Sequence, residues 1–250
     1  MHEKRLQSPK ANHSQDKADE KISFLAQNTI FRDLNAEEIN ELDRMITTIT
    51  CLPGRVLYRP GEAGSALFLL KSGGVQLYHL STDGRKLITE TLKPGAWFGV
   101  MPLIGQGIHN SFAEASIESR IYVINKHDMV NLLMHKPAVT YGLLQVFGHR
   151  LARMEAQLTD AAFKSTPARL ATLLLQLALP QSNGTKACVV EGLSHEELAD
   201  RLGVYRETVS TALRELKDAG AIELGRKHIT ISNPELLAAL ASSGNKGGGR

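Results

Sequence analysis

The stretch LSHEELADRLGVYRETVSTALRELKDAG, residues 193–220, constrains this chain more than any other because it encodes two short helices at fixed spacing. Ser194 precedes Glu197 by three residues, which is the capping-box spacing at a helix start. Gly203 follows the first helix and permits the left-handed backbone that a sharp turn needs. A second amphipathic helix begins near Tyr205. Its apolar face is predicted to consist of Val209, Leu213 and Leu216.

This helix pair is typical of a helix-turn-helix, whose second helix enters the major groove of DNA with its N-terminal residues at the base edges. Arginine bonds guanine in a bidentate manner, glutamate accepts from cytosine, and threonine or serine contacts phosphates or bases. A solvated helix face is the alternative interpretation. The predicted DNA-contacting residues are Ser194, His195, Tyr205, Arg206, Glu207, Thr208, Ser210, Thr211, Arg214 and Lys227.

The overall charge does not by itself indicate a nucleic-acid partner. The 250-residue chain carries a formal net charge of +3, and acidic and basic residues balance between positions 166 and 232. Any basic surface that faces DNA must therefore arise from folding rather than from bulk charge. The length allows one large or two modest domains, each with its own core.

Two cysteines, Cys51 and Cys188, are too few for a four-cysteine zinc or iron–sulfur site. Their apolar and β-branched neighbours predict buried strand positions, and their redox activity stays open. The sequence has neither the long apolar run of a membrane span nor an apolar signal-peptide core, so we expect no membrane association and a cytoplasmic location.

The N-terminal part predicts a disordered leader over residues 1–22, followed by a sensor domain over 23–136. Residues 24–45 have a helical pattern, with Asn35 as an N-cap. The AspGly pair at 83–84 predicts a hairpin. Short β segments separated by Gly and Pro favour an antiparallel sandwich or jelly roll. The candidate strands are Thr48–Leu52, Val56–Tyr58, Ala66–Lys71, Gly74–His79, Lys86–Leu92, Phe112–Ala115 and Arg120–Ile124.

A short helix near Lys126–His135 and then a long helix over residues 137–164 follow the β region. The long helix has an apolar stripe of near-heptad spacing, which predicts a coiled-coil-like homodimer. Packing of the whole stripe onto its own sandwich is the alternative. The stripe consists of Leu143, Leu144, Phe147, Leu151, Met154 and Leu158.

Residues 165–235 predict a winged helix-turn-helix domain. Pro167 opens a helix after a hinge, Ala187–Val190 forms a strand, and the segment around Lys227 forms a small β wing after the helix pair. Residues 236–250 are expected to hold the end of a terminal helix and a flexible Gly/Ser tail. The predicted fold class is thus α+β.

A β jelly roll, a long dimerising helix and a C-terminal winged helix-turn-helix together resemble the CRP/FNR family of bacterial transcription regulators. The segments PGRVLYRPGEAG (53–64), LFLLKSGGVQLY (67–78) and LKPGAWFG (92–99) are similar to the family's cyclic-nucleotide-binding-like domain. RETVS (206–210) resembles the start of its recognition helix. The resemblance implies that Arg206 and Glu207 read a G·C-containing half-site, and Thr211 stands where a second basic reader is common.

The chain departs from the cyclic-nucleotide binders of this family. Those members place a Glu after PheGly and an Arg about ten residues later, whereas this chain has Val100 and His109-Asn110-Ser111. Without that arginine a buried phosphate would lack its bidentate partner, so no cAMP binding is expected. An apolar effector pocket and plain core packing are both compatible with the pattern. The candidate pocket residues are Trp97, Phe98, Val100, Met101, Leu103, His109, Asn110 and Ser111.

No cofactor is predicted. The iron–sulfur branch of the family carries cysteines near its N-terminus, and this chain has none before Cys51. Haem-sensing members use His or Cys in the sandwich, so His79 and His109 leave haem open as an alternative.

The resemblance implies a homodimer on a two-fold operator that contacts RNA polymerase. A sensor of haem or another small ligand that acts mainly through protein contacts is the alternative function. No enzymatic activity is expected, because no nucleophile–base pair or phosphate-cradling loop is present. HEEL at 195–198 lacks the second His of a zinc helix.

Overall fold

The computed structural model describes residues 19–103, 107–180 and 188–243. The described chain divides into two compact units. The first holds residues 19–77 and 91–150, and the second holds residues 78–90 and 151–243. Both the β jelly roll and the helix-turn-helix that the sequence predicts are present. Most of the predicted leader and of the predicted tail lies outside the described residues.

Eight strands between residues 46 and 125 form two four-stranded sheets. Register is well defined along the edge strand β1, where Ile46 lies opposite Ile124 and Cys51 opposite Ser119 in antiparallel pairing. The first sheet has the order β1 (Ile46–Cys51), β8 (Ser119–Asn125), β3 (Ala66–Ser72) and β6 (Trp97–Phe98). The second has the order β2 (Val56–Tyr58), β7 (Phe112–Ala115), β4 (Val75–Leu80) and β5 (Lys86–Leu92).

Alternating side chains of the first sheet enter two different cores, because successive residues of a strand point to opposite faces. Leu70 and Phe98 join the core that strands of both sheets share. Leu69 and Trp97 join the core that the sheet forms with the helices of this unit. Cys51 lies on β1 at 5 % exposure, and burial raises the pKa of its thiol.

The predicted disordered leader is too long. Residues 19–26 form a helix, α1. Lys21 explains the order, because its ammonium donates to the carbonyls of Asp43 and Ile46 at 2.8 Å each. The helical pattern over 24–45 also breaks into α1, a series of turns, and α2 (Ala36–Met45). Asn35 caps α2 in a capping box with Glu38, as predicted.

The long helix α4 (Pro137–Phe163) follows α3 (Lys126–His135) and turns one side of its first half toward its own unit. Gly142 permits close approach there, since a Cβ on it would lie 2.7 Å from the Cα of Ile30. Leu143 is 6 % exposed and Phe147 packs against the same core. Leu143 is therefore covered mainly within its own unit and Phe147 in part, which leaves less of both side chains for the predicted dimer stripe.

The second unit contains a core of four helices covered by a small sheet. It comprises α5 (Thr166–Leu177), α6 (His195–Leu202), α7 (Arg206–Asp218) and α8 (Pro234–Ser242). Its sheet has the order β11 (Ile222–Gly225), β12 (His228–Ile231), β10 (Cys188–Glu191) and β9 (Leu179–Pro180). The hairpin β11–β12 is the predicted wing.

The winged domain extends beyond the predicted boundary at residue 235. Leu237 of α8 is fully buried and Ala241 is 7 % exposed, and both belong to the core that α5, α6 and α7 share. The helix therefore forms part of the winged domain, and residues 244–250 of the predicted tail lie outside the described residues.

Candidate nucleic-acid interface

The helix α7 separates a buried face from a polar face. Val209, Leu213 and Leu216 are at most 2 % exposed and lie in the core of the winged domain. A stripe of this spacing fixes which side of the helix points to solvent. The exposed polar residues on the opposite side are Arg206, Glu207, Thr208, Thr211 and Arg214.

The turn between α6 and α7 depends on Gly203, whose φ is +66°. An L side chain rarely adopts this conformation. A Cβ at this position would also lie 2.9 Å from a methyl group of Leu87. The positive φ favours glycine here, and the contact with Leu87 shows that the hairpin β4–β5 lies beside the turn.

Ser194 caps α6, and its role in the structure is local. Its hydroxyl accepts from the backbone of Glu197 at 3.1 Å, and the Glu197 carboxylate accepts from the Ser194 backbone N–H at 2.7 Å. This capping box holds the first turn of α6 in place.

His195 links the two helices of the motif. Its Nδ1 lies 2.9 Å from the hydroxyl of Ser210, and this hydroxyl lies 3.1 Å from the carbonyl of Arg206, to which it donates. With the hydroxyl proton engaged, Nδ1–H donates to Ser210 and the ring holds α6 against the start of α7.

The N-terminal ends of α5 and α6 both lie next to the exposed side of α7. Thr166 and Pro167 of α5 line one groove with Glu207 and Thr211, and His195 at the start of α6 bonds Ser210. Helix N-termini carry partial positive charge and favour phosphates. The position of these two helix ends beside α7 could not be predicted from the linear sequence.

The start of α7 differs from the starts of its neighbours. Ser165 and Ser194 cap α5 and α6 with their hydroxyls, whereas the side chain of Tyr205 makes no capping hydrogen bond to a described residue of α7. Of the first three N–H groups of α7, that of Thr208 bonds to the carbonyl of Tyr205 at 3.1 Å, and the side chain of Tyr205 caps neither of the other two.

Lys227 lies in the turn of the wing and has a φ of +65°. Its carbonyl accepts from the N–H of Gly192 at 3.1 Å, which ties the wing to the segment before α6. Lys227 itself is exposed. The structure thus gathers nine of the ten predicted contact residues on α6, α7 and their flanks, and puts Lys227 on the separate wing element.

Sequence reasoning missed the residues that contact Tyr205. Its hydroxyl donates to a carboxylate oxygen of Asp83 at 3.3 Å, and the guanidinium of Arg85 lies 4.7 Å from its ring centroid. These partners are 122 residues apart in the chain, so no local pattern signals the contact.

The candidate effector pocket does not form one cavity lining. Trp97 and Val100 belong to the helix-facing core, where the indole N–H donates to Asn28 at 2.8 Å. Phe98 belongs to the core between the sheets. The reason is the alternation of strand side chains, which divides neighbours between faces.

The rest of the set is equally scattered. Met101 is 37 % exposed and Asn110 is exposed, whereas Ser111 and Pro102 are buried. Leu103 packs against the helix-facing core. This distribution favours core packing over a shared effector pocket.

His109 is 5 % exposed and lies flat against Tyr58, with ring centroids 3.7 Å apart. Burial lowers the pKa of His109, so that the neutral imidazole is favoured. Val100 and His109 do not fit an anionic cyclic nucleotide, because one is apolar and buried and the other is kept uncharged.

The lowered pKa of His109 predicts a pH dependence of stability. As the pH falls below about 6.5, the unfolded chain binds a proton at His109 before the folded chain does. The stability that neutral His109 contributes is therefore fully present above about pH 6.5 and is lost as the pH falls further. We expect the free energy of unfolding in urea to fall more between pH 7 and pH 5 for the unmodified protein than for His109→Phe. The difference is at most about 1.4 kcal/mol per pH unit.

His127→Gln is the matched control for this measurement, since the side chain of His127 is 91 % exposed. It should retain the pH dependence of the unmodified protein. Parallel pH profiles for His109→Phe and the unmodified protein would contradict the account of His109.

The described part of the chain contains no group of three or more His, Cys, Asp or Glu residues arranged to hold a metal ion. His79 lies half-buried on β4, and His109 is stacked on Tyr58. Among the described helices, none is both long and apolar enough to cross a membrane.

Two families of known domains match this chain in the order that the fold shows. The cyclic nucleotide-binding domain matches residues 48–136. The Crp-like helix-turn-helix domain matches residues 168–240, which includes most of α8.

Similar proteins match over most of the length of this chain. The chain is 30 % identical to a CRP-like cAMP-activated global transcriptional regulator of Mycobacterium tuberculosis over 220 residues, which cover 87 % of this chain and 98 % of the relative. It is 30 % identical to a cyclic AMP receptor protein of Thermus thermophilus over 75 % of this chain and 85 % of that protein. A solved CRP/FNR-family regulator from Thermus thermophilus superposes with a TM-score of 0.66 at 27 % identity, over 79 % of this chain and 99 % of its own.

Proposed function

Because this chain belongs to the CRP/FNR family of transcription regulators, we propose that it acts as a homodimer that reads a two-fold operator with α7. Arg206 and Glu207 make the base contacts in this proposal, and Thr208, Thr211 and Arg214 contact the flanking phosphates or bases. Ser194, His195 and Tyr205 position the helix and contact phosphates. Lys227 extends the contact from the wing.

The observation that carries the DNA-reading role is the exposure of Arg206 and Glu207 at the start of a helix whose opposite face is buried. Two nearby helix N-termini supply positive potential around them. An exposed start without a side-chain cap leaves backbone donors for a phosphate. These features together suit a helix that inserts end-first into a groove.

The homodimer is supported by an apolar seam on α4, formed by Leu144, Leu151, Met154 and Leu158. These residues are 56–72 % exposed, although each is large and apolar. Three of them repeat every seven residues, which is the spacing that lets two helices pack along their length. A second copy of the chain covers this seam in the proposal, since a two-fold operator requires a two-fold protein.

The signal is proposed to be something other than cAMP. Val100 and the buried, uncharged His109 do not fit a cyclic phosphate. No cofactor is part of the proposal, and haem at His79 or His109 remains the alternative sensor. The similarity to transcription regulators gives no support to a catalytic role. RNA polymerase is the proposed protein partner, and the cytoplasm is the proposed compartment because DNA lies there.

The test is selection of bound duplexes from a random-sequence pool by the purified full-length chain. The proposal expects an enriched inverted repeat whose half-sites lie about 10–10.5 base pairs apart, centre to centre, or a multiple of that spacing. Recovery of unselected sequence only, together with binding that salt abolishes uniformly, would favour the alternative of a sensor that acts through protein contacts.

A further inference from the structure

The tip of the β4–β5 hairpin, residues 81–87, is a well-defined element of the second compact unit. Ser81 donates its backbone N–H to the carbonyl of Arg85 at 2.9 Å and accepts from the N–H of Gly84 at 3.0 Å. Gly84 has a φ of +84°. This is a type I turn followed by a left-handed glycine, the common three-residue hairpin loop. The backbone of the hairpin tip is therefore a regular turn.

The hairpin tip contacts the turn of the helix-turn-helix at Gly203 and at Tyr205, the residue before α7. Asp83 accepts a hydrogen bond from the hydroxyl of Tyr205 at 3.3 Å, and Arg85 lies over the Tyr205 ring at 4.7 Å. Leu87 approaches Gly203 so closely that a Cβ there would lie 2.9 Å from its methyl group. A polar, a cationic and an apolar contact thus converge on one turn.

Asp83 has the chemistry of a phosphate substitute. A hydrogen bond from Ser81 and the ion pair with Arg85, at 2.8 Å, lower the pKa of Asp83 to about 2. The carboxylate is therefore fully ionised near neutral pH. A phenol hydroxyl that donates to a carboxylate oxygen makes the same kind of bond that it would make to a DNA phosphate oxygen. One hydroxyl proton cannot serve both acceptors.

Arg206 and Glu207 are also next to the hairpin tip. They line an open cavity of about 510 Å³ together with Asp83, Arg85 and Tyr205. A DNA groove has to reach the same side chains, because base edges are read by the N-terminal residues of a recognition helix. The hairpin tip and an operator therefore require overlapping space.

We propose that the hairpin tip is an autoinhibitory latch, in which Asp83 and Arg85 hold Tyr205 and compete with DNA for the start of α7. This inference rests on the proposed DNA-reading function and adds a regulation of the same site. Release of the hairpin tip frees the phenol, the open N–H groups of α7 and the base-reading side chains together.

The test compares the affinities of two double variants for the duplex that the unmodified chain selects. Asp83→Ala with Arg85→Ala removes the latch contacts, and Arg32→Ala with Asp33→Ala is the matched control. The control pair is also exposed, adjacent and of opposite charge. Both variants leave the net charge unchanged. Loss of a weak hydrogen bond and a cation–π contact should tighten DNA binding about fivefold to tenfold in the latch variant, and the control should match the unmodified chain.

A double-mutant cycle with Tyr205→Phe separates the latch from a general effect of charge. The phenylalanine ring retains stacking and loses the hydroxyl, so Asp83→Asn should tighten binding about twofold to threefold in the unmodified background and leave it unchanged in the Tyr205→Phe background. Asp83→Asn also serves if the alanine pair fails to fold, because it is isosteric.

The possible results distinguish failure of the latch from failure of the DNA-reading function. Equal affinities of the latch variant, the control and the unmodified chain for a selected duplex overturn the latch and leave the DNA-reading function standing. Weaker binding by the latch variant also overturns it, and shows that the hairpin tip assists binding. If none of the proteins selects a duplex, the DNA-reading function fails and the latch fails with it.

Discussion

Replacement of Arg206 by alanine is expected to lower the affinity for the selected duplex by about 10- to 100-fold and to relax sequence preference at one position of each half-site. The side chain is exposed at the first position of α7, and a bidentate contact with guanine contributes about 1–3 kcal/mol of discrimination. Weak binding that depends steeply on salt should remain, since the helix N-termini and other basic residues are unchanged. Fluorescence anisotropy with cognate and scrambled duplexes measures both effects.

Lys217→Ala is the control for this substitution. Lys217 is an exposed cation in the last turn of the same helix. Its loss should affect cognate and scrambled duplexes alike. If Arg206→Ala also lowers both affinities by the same factor, Arg206 contacts phosphate only, and the assignment of base reading to it is wrong.

The pair Leu151→Glu and Leu158→Glu is expected to convert the protein to monomers and to abolish operator binding. In a parallel two-fold seam, a residue at these heptad positions meets its own copy, so each substitution opposes two carboxylates in an apolar layer. Loss of burial alone weakens the dimer by about 1.5–3 kcal/mol for each leucine in each of the two chains. Sedimentation velocity should show a shift to the monomer, with the dissociation constant raised by more than about 100-fold.

Leu52→Glu is the matched control, because Leu52 is 67 % exposed, follows the last residue of β1 and is not part of the α4 seam. It should leave the mass in solution and the DNA affinity unchanged. Thermal unfolding of the seam variant distinguishes loss of assembly from loss of fold. A seam variant that remains dimeric would show that the exposed leucines of α4 are not the interface.

The helix-turn-helix could be predicted almost residue by residue because its signals are local. Ser194 and Glu197 form the predicted capping box, and Gly203 has the left-handed conformation that the turn needs. The buried stripe of α7 is the stripe that the spacing gives. Asn35 behaves in the same way at α2. Features that a few adjacent residues determine can be predicted without knowledge of the tertiary structure.

The errors concern features that distant residues decide. The helix over 19–26 is stabilised by Lys21 and its partners near residue 45, so polarity alone suggests a disordered leader. Leu143 fits a heptad stripe, but Gly142 brings that part of α4 against Ile30. Trp97 and Phe98 are adjacent in sequence and face different cores. In each case, long-range packing overrides a local pattern.

The contact between the hairpin tip and α7 is also made by residues that are far apart in the sequence. Of these long-range contacts, it has the largest functional consequence in the proposed mechanism. The AspGly pair predicted the turn, and the structure shows that the turn places Asp83 beside Tyr205. In the proposed latch, the side chains that read DNA and those that control the reading lie next to one another.

The most direct test of the central claim is native mass spectrometry of the full-length chain with the selected duplex and with a duplex cut to one half-site. The account predicts two chains on the full duplex, and a dimer with no stable complex on the half-site. A single chain bound equally well to both duplexes would contradict the claim that a two-fold pair of α7 helices reads the operator.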